Sequence, residues 1–308
     1  MGKKILLATE KPFAKIAVEG IMDIFAKAGY ELLPLEGYKA KEDLLKAVAD
    51  VDGMIIRSDI ADEAVLNAAA RLKIVVRAGA GYDNIDLKAA SARGVVAMNT
   101  PGQNSNAVAE LVFALMLYLA RGAFSGKSGS ELRGKKLGLQ AYGAVGRCVT
   151  PIARGFGMEV FAFDPFIPAE AIKKDGVTPV SSLDELYQNC DYVSLHIPKT
   201  KETVNSINFN LLSRMKKGAA LINTARAEVI DEPSLLKMFV ERPDFKYGAD
   251  VAPVCADEIA GKYAGRFVFT AKKMGAQTEE ANVNSGLAAA RQIVAFFEKG
   301  DKTFQVNP

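Results

Sequence analysis

The stretch Leu137-Gly-Leu-Gln-Ala-Tyr-Gly-Ala-Val-Gly146, followed by Glu159-Val-Phe-Ala-Phe-Asp164, limits what this chain can fold into more than any other. Leu137 to Ala141 suits a buried strand, Val145 to Phe156 has helical apolar spacing, and Phe161 and Phe163 lie in a second strand that ends at an acid. That order describes a βαβ unit built to bind a dinucleotide. Glycines let the backbone approach a pyrophosphate at a helix N-terminus, where unpaired N–H groups and the dipole favour an anion. Asp164 stands where an acid can accept hydrogen bonds from a ribose, and it favours NAD over NADP, whose extra phosphate it repels. The residues expected around the phosphates are Tyr142, Gly143, Ala144, Val145 and Gly146. The fingerprint is imperfect, because Ala141 occupies the first glycine position. Alanine there is harmless at negative φ and strained at positive φ.

The same alternation runs along the chain. Lys4–Thr9, Met54–Arg57, Ile74–Arg77 and Val95–Met98 read as buried strands, separated by helical patterns at 13–28, 41–49 and 62–72. A long apolar helix, Asn106–Ala120, precedes the fingerprint. After it come strand candidates at 192–196, 219–223, 247–251 and 267–270, then a last long helix, Glu280–Lys299. Two such series imply an α/β protein of two doubly wound parallel-sheet domains. With 308 residues, 49% of them hydrophobic, there is enough chain for both cores.

Several functions are disfavoured. The net charge is only +3, with no Lys/Arg block or aromatic-basic stripe, so nucleic acid is not an expected partner. The longest apolar helix falls short of the roughly 20 residues a membrane span needs. Cys148, Cys190 and Cys255 show no metal spacing and fit a reducing cytoplasm, so neither a metal nor a disulfide framework is expected.

Five segments, in this order, carry a resemblance: Arg77-Ala-Gly-Ala-Gly-Tyr-Asp-Asn84, Asn99-Thr-Pro-Gly-Gln-Asn-Ser-Asn-Ala-Val-Ala-Glu110, the degraded fingerprint, Asp191-Tyr-Val-Ser-Leu-His-Ile-Pro198, and Ile222-Asn-Thr-Ala-Arg226. Along nearly its whole length the chain resembles the D-isomer-specific 2-hydroxyacid dehydrogenases, and among them the short members that oxidise 3-phosphoglycerate. The resemblance implies a flavodoxin-like substrate domain (1–99 and 285–308) interrupted by a Rossmann NAD domain (100–284). It also implies NAD as cofactor, a small anionic and phosphorylated 2-hydroxy or 2-oxo acid as substrate, a homodimer, and a role in serine biosynthesis. The serine-binding C-terminal domain of longer relatives is not expected.

Reduction of a 2-oxo acid needs a cation on the carboxylate and carbonyl, a proton donor, and a group that tunes the donor. The resemblance gives Arg226 the first role. Where the family carries a Pro-His, the stretch Thr270-Ala-Lys-Lys-Met-Gly-Ala places Lys273. Burial and a neighbouring Arg226 would both depress a lysine pKa and make proton exchange feasible. His196, the only histidine, belongs to the cofactor-lining motif. The acidic role is less defined: the usual spacing lands on Cys255, and Glu258 just beyond is the expected carboxylate. Asp250 matches the position that contacts the nicotinamide amide. Pro198, Thr203, Thr224, Ala225 and Gly275 complete the expected cofactor set.

Arg57, Ser58 and Arg77 at strand ends, with the backbone N–H groups of Ala78 and Gly79, are expected to bind a phosphate, and Asn84 to orient the carboxylate. Structural ion pairing with Asp59 and Asp83 is the competing expectation for the two arginines. Glyoxylate or hydroxypyruvate reduction is the alternative activity. A non-catalytic NAD-binding sensor or scaffold is the alternative of another class, since Ala141, Cys255 and Lys273 all depart from the family pattern.

Overall fold

The computed structural model describes residues 2–308, which divide into two compact units. One comprises the chain up to Asn104 together with Thr278–Pro308, and the other is Ser105–Gln277. The junctions thus fall a few residues from 99/100 and 284/285. Each long helix lies wholly in one unit: Ser105–Ala120 in the second and Glu279–Lys299 in the first.

The first unit holds strands β1 (Lys4–Thr9), β2 (Glu31–Glu36), β3 (Gly53–Ile56), β4 (Ile74–Arg77) and β5 (Val96–Asn99). They form one parallel sheet in the order β2-β1-β3-β4-β5. Side chains alternate across a strand, so both faces must be apolar when both are covered. Ile5 and Leu7 pack on one side with Ile21, Phe25 and Ile293, while Leu6 and Ala8 pack on the other with Val48, Val65 and Leu66. The sequence pattern did not reveal β2. Its residues are exposed or half-buried with none fully buried, and it carries Pro34, which an edge strand tolerates because the missing N–H has no ladder partner to lose.

The second unit holds β6 (Lys136–Gln140), β7 (Glu159–Phe163), β8 (Thr178–Pro179), β9 (Tyr192–Leu195), β10 (Ala220–Asn223), β11 (Lys246–Ala249) and β12 (Phe267–Phe269). All pairings are again parallel, in the order β12-β11-β10-β9-β6-β7-β8. Helices Ser105–Ala120 and Ala144–Gly155 cover one face of the sheet through Val112, Phe113, Met116 and Val149. Leu186, Leu235 and Phe239 cover the other. The strand order reverses between β6 and β9, which places a topological switch point beside the glycine turn. Among the described residues no helix is long and apolar enough to cross a membrane, and no group of His, Cys, Asp and Glu could hold a metal ion.

Candidate active site

The glycine turn joins β6 to the helix Ala144–Gly155. Ala141 has φ of +77°, in the left-handed region where a Cβ crowds the carbonyl oxygen. Of the two outcomes open from the sequence, the strained one is realised. We expect Ala141→Gly to raise the free energy of unfolding by about 1 kcal/mol, read by urea denaturation. No gain would mean that the turn carries no strain.

Gly143 caps the helix, and nothing stands within 4 Å of where a Cβ on it would be, so the backbone there is open to an approaching group. Among the described residues, the N–H groups of Ala144, Val145 and Gly146 have no acceptor, as expected of a first helical turn. A Cβ on Gly146 would come 3.0 Å from the carbonyl oxygen of Ala141, so this glycine lets the helix close on the strand. Asp164 accepts hydrogen bonds from the backbone N–H groups of Tyr142 (2.8 Å), Phe166 (2.8 Å) and Ile167 (3.2 Å). Its carboxylate is therefore oriented by the fold and keeps lone-pair capacity for a hydroxyl donor. Tyr142 contributes through that N–H, because its ring is buried and its hydroxyl donates to Asp175.

Among the described residues, Oγ1 of Thr224 and Nε2 of His196 are two of the six buried side-chain polar atoms that lack a hydrogen-bond partner. Burial pushes the pKa of His196 down to about 4, so the ring is neutral near pH 7. The Thr203 hydroxyl donates to the carbonyl of Pro198 (2.6 Å) and closes its own loop. The open cradle at Gly143, the oriented acid and the orphaned atoms together fit a dinucleotide.

At the end of β10, Asn223 shapes the turn that presents Arg226. Its Oδ1 accepts from the N–H of Ala225 (3.0 Å), and its Nδ2 donates to the carbonyl of Arg226 (2.9 Å). Arg226 is half-buried. At the end of β11, the carboxylate of Asp250 accepts from the N–H groups of Met274 (2.7 Å) and Gly275 (2.9 Å), the two residues after Lys273. Lys273 is exposed, so the burial expected to lower its pKa is not found.

The acid expected at Glu258 is also differently placed. Glu258 is exposed on the helix Ala256–Lys262 and pairs with Lys262 at 2.9 Å, an i,i+4 surface pair. The carboxylate against Cys255 belongs instead to Glu232, which accepts from the N–H groups of Val254 (2.7 Å) and Cys255 (3.0 Å). Burial and this carboxylate push the Cys255 thiol up to about 12, so it does not serve as a base near neutrality. Nothing in the sequence set Glu232 apart. With Asp231 before it and Pro233 after it, it reads as an ordinary helix start.

In the first unit, the loops after β3 and β4 carry the arginines. Arg57 Nη1 donates to the carbonyls of Lys11 (2.9 Å) and Pro12 (3.0 Å), Nη2 donates to Asn282, and the guanidinium lies over the Phe13 ring. Among the described residues no acceptor engages its Nε–H or its second Nη2–H. Arg77 Nε donates to the carbonyl of Arg57 (3.0 Å). Its guanidinium lies so close to Gly79 that a Cβ there would overlap Nη1, which explains the glycine. The buried Asp59 accepts from the N–H groups of Glu10 and Arg57 and from the Tyr38 hydroxyl, so its hydrogen bonds organise backbone and not the Arg57 guanidinium. Ser58 is exposed.

Two expectations change here. The N–H of Ala78 donates to the carbonyl of Ile56 (2.8 Å) and that of Gly79 to the carbonyl of Arg77 (2.9 Å), so neither points outward. Among the described residues, the N–H groups of Ala80, Gly81 and Tyr82, which carry no signal in the sequence, have no acceptor. Asn84 donates to the carbonyls of Arg57 (3.2 Å) and Asp59 (2.6 Å), which makes it a tie between loops instead of a carboxylate ligand.

Known proteins resemble this chain in sequence and fold. The family described as D-isomer specific 2-hydroxyacid dehydrogenase, NAD binding domain, matches residues 112–257. A hydroxypyruvate reductase of Thermotoga maritima is 36% identical over 82% of this chain and 87% of its own length. A D-3-phosphoglycerate dehydrogenase of Methanocaldococcus jannaschii is 35% identical over 82% of this chain and 51% of its own. The chain spans about half the length of the phosphoglycerate dehydrogenases it matches in this way. Among solved structures, an NAD+-bound 3-phosphoglycerate dehydrogenase of Entamoeba histolytica is 45% identical, with a TM-score of 0.92, over 100% of this chain and 99% of that one. With the fingerprint, the Asn-Thr-Ala-Arg turn and these likenesses in hand, the chain belongs to the D-isomer specific 2-hydroxyacid dehydrogenases, NAD-dependent oxidoreductases.

Proposed function

We propose that this protein interconverts 3-phosphoglycerate and 3-phosphohydroxypyruvate. NAD, when bound, supplies the hydride chemistry. Arg226 grips the carboxylate and polarises the carbonyl, a task suited to a planar guanidinium with paired donors. Lys273 moves a proton between Nζ and the substrate oxygen, and its charge stabilises the alkoxide as it forms. The observation that carries the phosphorylated substrate is the donor set of the first unit. Arg57 keeps Nε–H and one Nη2–H beyond its structural bonds, and three successive N–H groups at Ala80, Gly81 and Tyr82 are open to an anion. The likeness over the full chain to a 3-phosphoglycerate dehydrogenase supports the same reading.

The second reading is hydroxypyruvate or glyoxylate reduction, favoured by the Thermotoga relative. NADH oxidation by the purified protein, with 3-phosphohydroxypyruvate, hydroxypyruvate and glyoxylate in parallel, separates them. We expect kcat/KM to favour the phosphorylated acid by about 100-fold or more, the worth of one or two charged hydrogen bonds. Equal use of hydroxypyruvate would establish the second reading, and NADH binding without turnover would point to a sensor. Arg57→Ala should raise KM for the phosphorylated acid by roughly 10–100-fold and leave glyoxylate turnover nearly unchanged. An equal loss on both acids would remove the phosphate role from Arg57. Arg57 also pins Lys11, Pro12 and Asn282, so a melting curve belongs beside the kinetics.

The same proposal includes a homodimer working in the cytoplasm and feeding serine biosynthesis. Pairing is supported by the helix Ser105–Ala120, where Leu111, Leu117 and Tyr118 stay half-exposed, and by the neighbouring, exposed Phe124. Three free cysteines suit a reducing compartment.

A further inference from the structure

Asp250 occupies the family position held to meet the nicotinamide amide, and its surroundings add a second task. It is 2% exposed, and its carboxylate accepts from the N–H of Met274 (2.7 Å) and the N–H of Gly275 (2.9 Å), while the Thr270 hydroxyl donates to the backbone carbonyl of Asp250. Each carboxylate oxygen is engaged by one N–H of the loop and keeps capacity for a further donor. All three donors belong to one loop, which leaves β12 and carries Lys273.

Gly275 is matched to the same contact, because a Cβ on it would stand 2.8 Å from Oδ2. The N–H of Asp250 donates in turn to the carbonyl of Asn223 (2.9 Å), whose side chain shapes the Arg226 turn. The neighbouring strand ends β10 and β11 thus each supply one side chain that sets the backbone around one cation.

We propose that Asp250 is a positioning residue, a latch that holds the Thr270–Gly275 loop and so fixes where Lys273 delivers its proton. The inference rests on the reading of Lys273 as proton donor. A carboxylate is required because two converging N–H groups need two acceptor oxygens. Asparagine offers one oxygen and turns its NH2 toward the other N–H, leaving a buried donor opposed by a donor.

The test compares Asp250→Asn, Gly275→Ala and Lys273→Ala with the parent enzyme. Gly275→Ala opens the latch from the opposite side and leaves the carboxylate intact. For both latch variants we expect kcat to fall about 100-fold, as for a reacting group displaced by about 1 Å. NADH affinity, measured by fluorescence titration, should stay within about threefold. Amides of Met274 and Gly275 should lose hydrogen-exchange protection while the β10 and β11 amides keep theirs.

Unchanged protection in Asp250→Asn would overturn the latch. A loss of NADH affinity as large as the loss of kcat would overturn it too, by confining the effect of Asp250 to the cofactor. Lost protection with full turnover would show that the latch positions nothing catalytic. If Lys273→Ala also keeps full turnover, the failure lies in the reading of Lys273.

Discussion

Lys273→Ala is expected to lower kcat by about 10³-fold, within the range seen when a general acid is removed, while NADH binding stays near that of the parent. The side chain projects from a loop whose next two N–H groups are held by Asp250, so truncating it leaves the latch in place. Two further variants separate proton transfer from simple charge. Lys273→Arg keeps a cation that does not deprotonate in the accessible range, so a proton-donor role predicts loss nearly as deep as that of alanine. Lys273→His restores a donor with an ordinary pKa near 6.5, and turnover should partly return with its optimum moved to lower pH. Full activity in the alanine variant would remove Lys273 from the mechanism. Full activity in the arginine variant would reduce its role to charge.

The second large effect falls on Arg226. Arg226→Lys should lower kcat/KM by roughly 10²–10³-fold for every 2-oxo acid tried, phosphorylated or not. An ammonium keeps the charge but loses the planar pair of donors that can hold a carboxylate and polarise a carbonyl together. This pattern contrasts with the one expected of Arg57, where only the phosphorylated acid suffers. The turn is shaped by Asn223 through the backbone of Ala225 and Arg226, and the guanidinium itself donates to the carbonyl of Ala225 (3.0 Å), so a melting curve belongs beside the kinetics. An effect confined to the phosphorylated acid would move Arg226 from the reacting carbonyl to the phosphate.

Much of this could be read from the chain itself, and the reasons are particular. Strands such as Ile74–Arg77 and Ala220–Asn223 are continuous apolar runs because helices cover both faces of their sheets, and that leaves a pattern within a few neighbouring residues. The edge strand Glu31–Glu36 left none, since half its surface meets water and its pairing depends on Lys4–Thr9 far away in the chain. The glycine turn was visible, but the sign of φ at Ala141 was not. That sign is set by how the helix Ala144–Gly155 closes on β6 through Gly146.

The order of apolar runs, turn residues and charged strand ends was therefore determined by the sequence alone. It contained two parallel α/β units, a dinucleotide fingerprint ending at Asp164, and the candidates Arg57, Arg77, Arg226 and Lys273. Only the tertiary structure decided which polar groups are committed and which are open. It placed Glu258 in a surface pair with Lys262 and Glu232 against Cys255, committed the N–H groups of Ala78 and Gly79 while leaving those of Ala80 to Tyr82 open, and turned Asp250 toward the Lys273 loop. Periodicity is a local property that burial imposes on neighbouring residues. A hydrogen-bond partner is found only when segments distant in sequence close on one another, and no short window of sequence records that closure.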